Sequence, residues 1–469
     1  MISSIFSSLG IAREALYAQQ VGLDITQNNI ANVNTPGYTR QRADFVPGGM
    51  ATPGNLQSGS GVQVASIVSY RDRLYDQRVN NELQRQGEYG ASFSALQQVE
   101  ALFNDSANSG LQSAIAAFFN SFSSLANAPE NASLREQVLA NGEQLGSKFR
   151  QSYEHVQEVQ SQLDREVAET VSQINTITAN IARLNAEVSA TRGANSNASN
   201  LEDQRQELID QLAGLVDISY YTDTGSGNIS ITTRQGALLV AGNRSNPWQA
   251  VRSLAGPFLQ VHDASGTDIT SAIQSGKLGG LLKTRDTNIP SYLSALDDLA
   301  AAIISRVNAQ HASGSDLNGA AGGDFFVPFA PVTPGSNQGA ARAIEVAITD
   351  PAEIAAASSG GGPGSNANAQ SLAGIQNELL LSGNTATLSQ FYSNLVFNIG
   401  LDAKNAGDNL EVENRLVTQL QNQRDSVSGV SLDEEAINIM RYQKAYEASA
   451  RLISVIDTLS DDLLRIIGG

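Results

Sequence analysis

The side chains best suited to chemistry in this sequence are few and scattered. Cysteine is absent, and the three histidines, His155, His262 and His311, lie far apart. Without cysteine there is no thiolate nucleophile, thiolate metal site or disulfide, and three distant histidines do not predict a metal site. His155 falls inside a long helical pattern and is expected to face solvent. His311 lies near a helix end, where the helix dipole would favour a charged imidazole.

The most suggestive ligand spacing is the segment GSDLNGAAGGD, which carries Asp316, Asn318 and Asp324. A calcium-binding EF-hand loop needs glycine at its sixth position and glutamate at its twelfth. Here Gly319 is fourth and Val327 is twelfth. A turn stabilised by the Asp and Asn side chains is the better interpretation, and the sequence predicts neither a metal nor a cofactor.

Paired carboxylates are the remaining catalytic possibility, and they occur at Asp297-Asp298, Asp433 to Glu435 and Asp461-Asp462. Adjacent residues of a helix do not face each other, so we interpret these as solvated charges. No nucleophile elbow, phosphate-binding loop or dinucleotide-binding motif occurs in a suitable setting. We therefore predict no catalytic residue and no enzyme activity.

The charge of the chain excludes further classes of function. Lys and Arg number 29 against 47 Asp and Glu, a formal net charge of −18. Such a chain is a poor candidate for binding nucleic acid or an anionic membrane. No apolar run is long enough to cross a bilayer, and the first basic residue, Arg13, follows the N-terminal apolar residues, so no secretory signal is predicted. The residues alone suggest a cytoplasmic protein.

Both ends of the chain carry narrow apolar stripes with heptad spacing. The N-terminal stripe contains Ile2, Ile5, Leu9, Leu16, Leu23 and Ile30, and the C-terminal stripe contains Ile439, Tyr442, Tyr446, Ile453, Ile456, Leu463 and Ile467. A capping box at Ser431 to Glu434 is predicted to begin the C-terminal helix. We expect the two helices to pair as an antiparallel coiled coil. Because each has little else to pack against, the stripes are also our candidate assembly interface, completed by neighbouring subunits.

The middle of the chain alternates between helical and strand patterns. A heptad from Tyr153 to Val188 predicts a long helix, with a capping box at Ser133, and a Gly/Ser/Asn-rich break at 191–200 predicts a helical hairpin. Short alternating runs at 216–262 predict strands, helix returns at 291–310, and Gly, Ala, Ser and Pro dominate 312–370.

These patterns predict a mainly α fold with a β insertion, arranged as an elongated multi-domain rod. Residues 1–85 and 425–469 form the terminal coiled-coil domain and its linker. Residues 86–215 and 276–424 form a long helical-bundle body with a loop region near 312–370. Residues 216–275 form a small β-rich outer domain, which we expect to project from the rod.

Residues 29–40 read NIANVNTPGYTR, with Asn29, Asn32, Asn34, Thr35, Pro36, Gly37 and Tyr38 as the motif positions. This segment resembles the N-terminal signature of the flagellar axial protein family, which comprises rod, hook and hook-associated proteins. Residues 429–459 resemble the paired terminal helix of the same family. Pro36 and Gly37 end the first helix, and we expect this turn to set the direction of the chain, with the ring of Tyr38 packed at the corner.

Three internal segments resemble the hook-associated protein 1 branch of the family: residues 275–286, residues 307–326 and the helix–break–helix pattern through residue 219. The resemblance implies a structural subunit of the junction ring at the hook tip, which adapts the hook to the filament and is required for filament assembly. The chain is short for that branch, which implies a missing or reduced outer domain. A hook or distal rod subunit is the alternative. A wall hydrolase would need a catalytic domain, and a coiled-coil effector or adhesin has no reason to carry NTPGY.

The resemblance also implies partners and a location. They are a homo-oligomeric ring, hook protein below, a second junction protein or filament protein above, and a cytoplasmic export chaperone bound through the C-terminal helix. Neither nucleic acid nor membrane insertion is expected. Such proteins leave the cell through the flagellar export channel without a cleaved signal peptide, which replaces the cytoplasmic expectation with the extracellular flagellum.

Overall fold

The structure is a computed structural model of the 469-residue chain. It describes residues 2–48, 50–51, 58–59, 61–103, 110–194, 197–252 and 256–467. Within them the helices are α1 (Ile2–Ala31), α2 (Arg73–Leu102), α3 (Leu111–Asn127), α4 (Ala132–Gly193), α5 (Ser199–Leu215), α6 (Gly276–Lys283), α7 (Ile289–Ala312), α8 (Ala340–Ala343), α9 (Ala367–Gly374), α10 (Leu388–Ser428) and α11 (Leu432–Ile467). Short 3-10 turns occupy Thr270–Ala272, Pro351–Glu353 and Ile375–Asn377, and a π-helical turn at Thr284–Asn288 joins α6 to α7.

The strands are short. They are β1 (Gln41–Pro47), β2 (Met50–Ala51), β3 (Ser58–Gly59), β4 (Val62–Ser69), β5 (Ser219–Thr222), β6 (Ile229–Thr232), β7 (Leu238–Ala241), β8 (Arg244–Ser245), β9 (Gln249–Arg252), β10 (Leu259–His262), β11 (Gly314–Ser315) and β12 (Ala357–Ser358). All pairs are antiparallel: β1 with β4, β2 with β3, β9 with β10, β11 with β12, and a four-stranded sheet in the order β5-β6-β7-β8.

The two ends of the chain form one unit, in which α1 packs against α11. Gly22, toward the end of α1, touches Tyr442, near the start of α11, and Arg40 contacts Glu434 and Glu435 at the first turn of α11. The end of α1 therefore lies beside the start of α11, which is the antiparallel arrangement that the stripes predicted. The β1–β4 hairpin, which the sequence patterns did not predict, packs on α1.

Helix α4 is the spine of the body. It has 62 residues, and a rise of about 1.5 Å per residue gives it a length of about 93 Å. It begins earlier than the heptad at Tyr153 indicated, and its N-cap is Asn131, whose side chain accepts from the N–H groups of Ser133 and Leu134. The predicted capping box at Ser133 is therefore wrong, because Asn131 already occupies the capping position. The break at 191–200 is confirmed by the end of α4 and the start of α5.

The β-rich region lies along α4 and does not project from it. Strands β7 to β10 contact α4, and Ile231, Val240 and Trp248 belong to the same continuous apolar core as the helices. Polar side chains of α4 also bond the backbone of this region. Asn175 exchanges two hydrogen bonds of 2.8 Å with the backbone of Trp248. The expectation of a projecting domain is therefore wrong, because the apolar face of these small sheets requires α4 to cover it.

The loop region predicted near 312–370 is pinned to the body by aromatic and arginine side chains. Phe325 and Phe326 are fully buried against Phe118 of α3. Arg135 of α4 is 1% exposed, and its guanidinium donates to the carbonyl oxygens of Pro129 and Ile354. A segment with little secondary structure is thereby fixed on the core.

The domain limits proposed from sequence remain predictions. The limit at 85/86 falls inside the continuous helix α2, and the limit at 424/425 falls inside α10. These two helices pack against each other and run from the body to the terminal unit.

Candidate assembly interface

The terminal helices bury one face against each other and leave much of their apolar surface accessible. On α1 the buried positions are Ala12, Ala18, Gly22, Ile25, Thr26 and Asn29, whereas the predicted stripe residues Ile5, Leu9, Leu16, Leu23 and Ile30 are only half-buried. The buried line is thus rotated from the predicted heptad toward smaller side chains. The side chain of Ile2 lies outside the described residues.

On α11 the predicted stripe falls on the more buried side. Ile456 is 6% exposed, and Ile439, Tyr442 and Ile453 are half-buried, but Tyr446 is 36% exposed. The side chains of Leu463 and Ile467 lie outside the described residues. That these side chains form an interface between subunits stays a prediction.

A second apolar line on α11 was missed from sequence. Ile437, Met440, Leu452, Val455 and Leu459 are each about half exposed. Around the helix they lie on nearly the opposite side from the predicted stripe, so that a search for one narrow seam overlooked them. A helix that is apolar on two sides and covered on one has surface for a further packing partner.

The family-motif turn is built around Asn29, which is 1% exposed. Its Oδ1 accepts from the Tyr38 hydroxyl at 2.9 Å and from the Gln41 N–H at 3.0 Å, and its Nδ2 donates to the Gln41 carbonyl at 2.9 Å. Gly37 has a φ of +74°, which suits glycine. This amide therefore ties the end of α1 to the start of β1.

The other motif residues are less buried. Asn34, Thr35, Pro36 and Gly37 are exposed, and Asn32 and Tyr38 are half-buried. The Tyr38 hydroxyl holds Asn29; that the ring anchors the corner by packing stays a prediction. Burial, together with the charges of Asp203 and Glu435, raises the pKa of Tyr38 to about 12. The phenol therefore stays protonated and keeps its role as a donor.

Ion pairs fix the turn to α11 and to the body. The Arg40 Nε donates to Glu435 at 2.6 Å, and its Nη1 contacts Glu434. On the body side, Asp203 of α5 accepts from the Thr39 N–H at 3.0 Å and from the Arg71 guanidinium at 2.5 Å. The Glu434 carboxylate thus reaches Arg40, and the capping box at Ser431 stays a prediction.

A second ionic contact lies behind the turn, where α10 meets α5. The Arg424 guanidinium donates to Asp210 at 3.0 Å and lies 3.9 Å from Asp76 of α2. Burial raises the pKa of Asp210 to about 6, although Gln206 and Arg424 favour its charged form. Charged side chains from three helices thus meet where the terminal unit joins the body.

The acidic groups interpreted as solvated divide into two kinds. Asp461 and Asp462 are exposed. Asp297 is 2% exposed and accepts from the N–H groups of Gly339 and Ala341, each at 2.9 Å. Glu435 is 1% exposed and pairs with Arg40. The solvated interpretation is wrong for these two, because each has a partner distant in sequence that compensates for burial of the charge.

The histidines do not form a site. His155 is exposed as predicted, and His262 is half-buried on β10. His311 is fully buried, and its Nε2 accepts from the Ala355 N–H at 2.9 Å while its Nδ1 donates to the Gly323 carbonyl at 2.7 Å. Burial lowers the pKa of His311, so it is neutral, and the dipole interpretation, which needs a charged ring, is wrong.

The turn predicted in GSDLNGAAGGD is confirmed for Asp316, whose Oδ1 accepts from the Ala320 N–H at 2.8 Å; Asn318 and Asp324 are exposed. Across the described ranges, no three His, Asp or Glu side chains are grouped closely enough to hold a metal ion. The helices in those same ranges include none with an apolar stretch long enough to cross a bilayer.

Comparisons with known proteins agree with this architecture. A family model for the flagella basal body rod protein matches residues 9–39, and one for the C-terminal part of the flagellar basal body rod FlgEFG proteins matches residues 421–466. These matches cover the paired terminal helices and the motif turn. They define the class as an axial structural protein of the bacterial flagellum.

The match to the helical body identifies the branch of that class to which the chain belongs. The family model of the flagellar hook-associated protein FlgK helical domain matches residues 96–326. Flagellar hook-associated protein 1 of Bacillus subtilis is 30% identical over 514 aligned positions, which cover 100% of this chain and 99% of the relative. The chain belongs to the flagellar hook-associated protein 1 family. The Escherichia coli member is 27% identical, with 98% of this chain and 100% of the relative covered.

A solved structure shows the same fold. The flagellar hook junction protein FlgK from Burkholderia pseudomallei aligns with a TM-score of 0.67 at 18% identity, covering 75% of this chain and all of that chain. The alignment with the Bacillus relative spans more positions than the 469 residues of this chain. The relative therefore carries inserted segments that this chain lacks, in keeping with the shortness noted from sequence.

Proposed function

We propose that this chain is a structural subunit of the flagellar hook–filament junction, where copies of it form a ring at the hook tip that adapts the hook to the filament. The observation that carries the proposal is the terminal hairpin of α1 and α11, which keeps half-exposed apolar lines on both helices. Membership of the hook-associated protein 1 family supports the location.

The same surfaces support the partners that we propose. Neighbouring copies cover the stripes within the ring, hook protein packs below, and a second junction protein or the filament protein packs above. An export chaperone covers the C-terminal helix before assembly, because the exposed line from Ile437 to Leu459 would otherwise associate nonspecifically. The protein reaches the extracellular flagellum through the export channel and has no catalytic role.

A hook or distal rod subunit is the alternative function. It shares the terminal helices, since the rod-protein family models match only there. The hook-associated helical-domain match across residues 96–326 favours the junction. Labelling the protein on purified flagella separates the two, because a junction protein appears at a single point between hook and filament and a hook subunit appears along the whole hook.

The decisive test combines a deletion strain with two substitutions in the apolar stripes, called here the seam variants. Deletion should leave hooks without filaments, with filament protein released into the medium. Leu16→Asp and Ile453→Asp place a carboxylate on the half-buried faces of α1 and α11, where assembly would bury it unpaired at a cost of several kcal/mol per ion. Both variants should fail to restore filaments.

The matched control is Arg13→Asp, because the Arg13 side chain is 79% exposed. It should restore filaments. The body between residues 90 and 425 should keep its thermal stability in all three variants. Normal filaments in the deletion strain, or in both seam variants, would refute the proposed function.

A further inference from the structure

His311, in the last turn of α7, joins two loops that are distant from each other in sequence. Its side chain is fully buried, and the centre of its ring lies 5.6 Å from the centre of the Phe325 ring. Nδ1 bonds the Gly323 carbonyl at 2.7 Å, and Nε2 bonds the Ala355 N–H at 2.9 Å. One side chain thus holds the loop that carries Phe325 and the segment 350–358, called here the strap.

These two backbone partners fix the protonation state of the ring. An amide N–H can only donate, so Nε2, which faces Ala355, is the unprotonated nitrogen. A carbonyl oxygen can only accept, so the single proton lies on Nδ1, which faces Gly323. A second proton would turn Nε2 into a donor that faces another donor. The strap is therefore bonded to His311 only while the imidazole is neutral.

A buried arginine holds the other end of the same peptide group. This peptide joins Ile354 to Ala355, and its carbonyl oxygen accepts from the Arg135 Nη1 at 2.8 Å. Arg135 belongs to α4 and is 1% exposed, and its guanidinium is always charged. One peptide group is thus held between a permanent cation and a neutral imidazole. Protonation of His311 would place a second positive charge on the opposite side, which the guanidinium disfavours.

The strap packs its apolar side chains onto the body. Ile354 and the three alanines that follow it are all buried. Helix α9 holds the strap as well, because the Asn368 Nδ2 donates to the Ala355 carbonyl at 2.6 Å. Neither the apolar packing nor the amide changes its charge with pH. The bond to His311 is therefore the contact of this peptide that acid removes.

The elements around the ring supply few charges. Helices α3 and α9 and strands β11 and β12 contain no titratable residue. The charged residues of the other neighbouring segments are Arg135 of α4, Asp316 after β11, Asp324 before Phe325, and Asp350 and Glu353 of the strap; on α7 itself, Arg306 is paired with Glu378. Burial lowers the pKa of His311, although its bond to Gly323 and the charge of Asp324 favour the protonated ring.

The closed strap therefore depends on pH in one direction. While the strap is closed, burial keeps the second proton off His311. When the strap is open, the imidazole regains its ordinary pKa of 6.5. The closed form has its full stability above that pH and loses it as pH falls below, so that each pH unit favours opening by up to about tenfold.

We propose that His311 and Arg135 form an acid-sensitive clasp on the 354–355 peptide: in acid, His311 takes up a proton, releases the Ala355 N–H and lets the strap open from the body. Opening is confined to the strap and to the loop at Gly323, because these are the segments that the ring bonds. At neutral pH the clasp keeps the loop region between α7 and α9 closed over the core.

Amide hydrogen exchange of the purified full chain tests the clasp, after correction for the intrinsic pH dependence of exchange. Below about pH 6.5 the opening of the strap should increase by up to about tenfold per pH unit. Residues 167–188 of α4 are the internal control, because they begin about 48 Å along the helix from Arg135, and they should show no such increase. Exchange in the strap that does not depend on pH would overturn the proposal.

Substitution of the histidine separates its titration from other effects of acid. His311→Gln has no titratable ring but keeps an amide oxygen that can accept from the Ala355 N–H, so opening of its strap should not change with pH. His155→Gln is the matched control, because His155 is exposed, and it should keep the pH dependence of the parent. The same pH dependence in His311→Gln as in the parent would contradict the clasp.

Nuclear magnetic resonance of the imidazoles needs no substitution at His311 itself. The chain has only three histidines, and the signals missing from His155→Gln and from a His262→Gln variant identify the third. The His311 ring should carry its proton on Nδ1 at neutral pH and take up a second proton only as the strap opens. A His311 ring that is doubly protonated while the strap is closed would overturn the proposal. These measurements are independent of where the protein lies in the flagellum, so their failure leaves the proposed function standing.

Discussion

The hydroxyl of Tyr38 donates a 2.9 Å hydrogen bond to the Oδ1 of Asn29, and the same oxygen accepts from the Gln41 N–H. Two residues of the family motif thus act as one unit, in which a buried amide joins α1 to β1 and a phenol closes the corner. Asn29 and Tyr38 are therefore a structural joint whose polar groups bond each other and the backbone of Gln41.

Replacing the buried amide tests that joint. Asn29→Ala leaves the Gln41 backbone groups and the Tyr38 hydroxyl without this partner, and we expect a loss of about 2–3 kcal/mol in the stability of the terminal unit. Limited proteolysis and thermal unfolding measure it. Asn34→Ala is the matched control, because Asn34 is exposed, and it should change little. Equal behaviour of the two variants would contradict the proposed joint.

The Arg40–Glu435 pair supports a second prediction. Glu435 is 1% exposed. Removing the arginine leaves its buried carboxylate without an ion-pair partner, which typically costs about 3 kcal/mol or more. Arg40→Ala should therefore release α11, detected as faster amide hydrogen exchange in residues 432–445. Arg13→Ala, at a 79% exposed side chain, is the control. Unchanged exchange in α11 after Arg40→Ala would contradict the proposed role of the Arg40–Glu435 ion pair.

Gly22 of α1 lies close against Tyr442 of α11. A Cβ atom there would lie 2.8 Å from the Tyr442 ring, whereas a Cβ at Gly10 would meet nothing within 4 Å. Gly22→Ala should force the ring of Tyr442 to move and weaken the pairing of α1 with α11. Gly10→Ala should be neutral or stabilise the helix by up to about 1 kcal/mol. Thermal unfolding of the two variants compares them, and a stabilised Gly22→Ala would disprove the close packing.

The pairing of α2 with α10 should depend on pH. Burial, together with the hydrogen bond and the charge of Glu82, raises the pKa of Glu413 to about 7 from its ordinary value of 4.5. Arg85 and Glu88 of α2 are the other charges that face it. Because the folded state holds the proton more tightly, the stability that it contributes is complete below the ordinary pKa and is lost as pH rises through about 7.

The measurement is thermal unfolding from about pH 5 to about pH 8. The unfolding temperature of the parent should fall across this range, and Glu413→Gln should reduce the fall, since the amide keeps the shape and removes the titration. Asp210, with its pKa raised to about 6, contributes in the same direction, so part of the fall should persist. An identical slope in the parent and in Glu413→Gln would contradict the role of Glu413.

Much of the architecture could be predicted from the sequence because it depends on local periodicity. Heptads in α1, α4 and α11 mark helices whatever their partners are, and the Gly/Ser/Asn-rich break at 191–200 marks the hairpin between α4 and α5. The antiparallel pairing of the chain ends followed from the matched stripes. The short alternating runs predicted the strands between residues 219 and 262.

Other features depended on residues far apart in the chain. The sequence predicts that the acidic run 433–435 is exposed to solvent. Glu435 is nevertheless buried, because Arg40, nearly four hundred positions earlier, pairs with it. Asp297 is buried because the loop at Gly339 and Ala341 returns to it. The β-rich region lies against α4 because small sheets cannot cover their own apolar face. Periodicity reports which side of a helix is apolar, but only the tertiary structure decides which neighbour compensates a buried charge and which apolar side remains open for another copy.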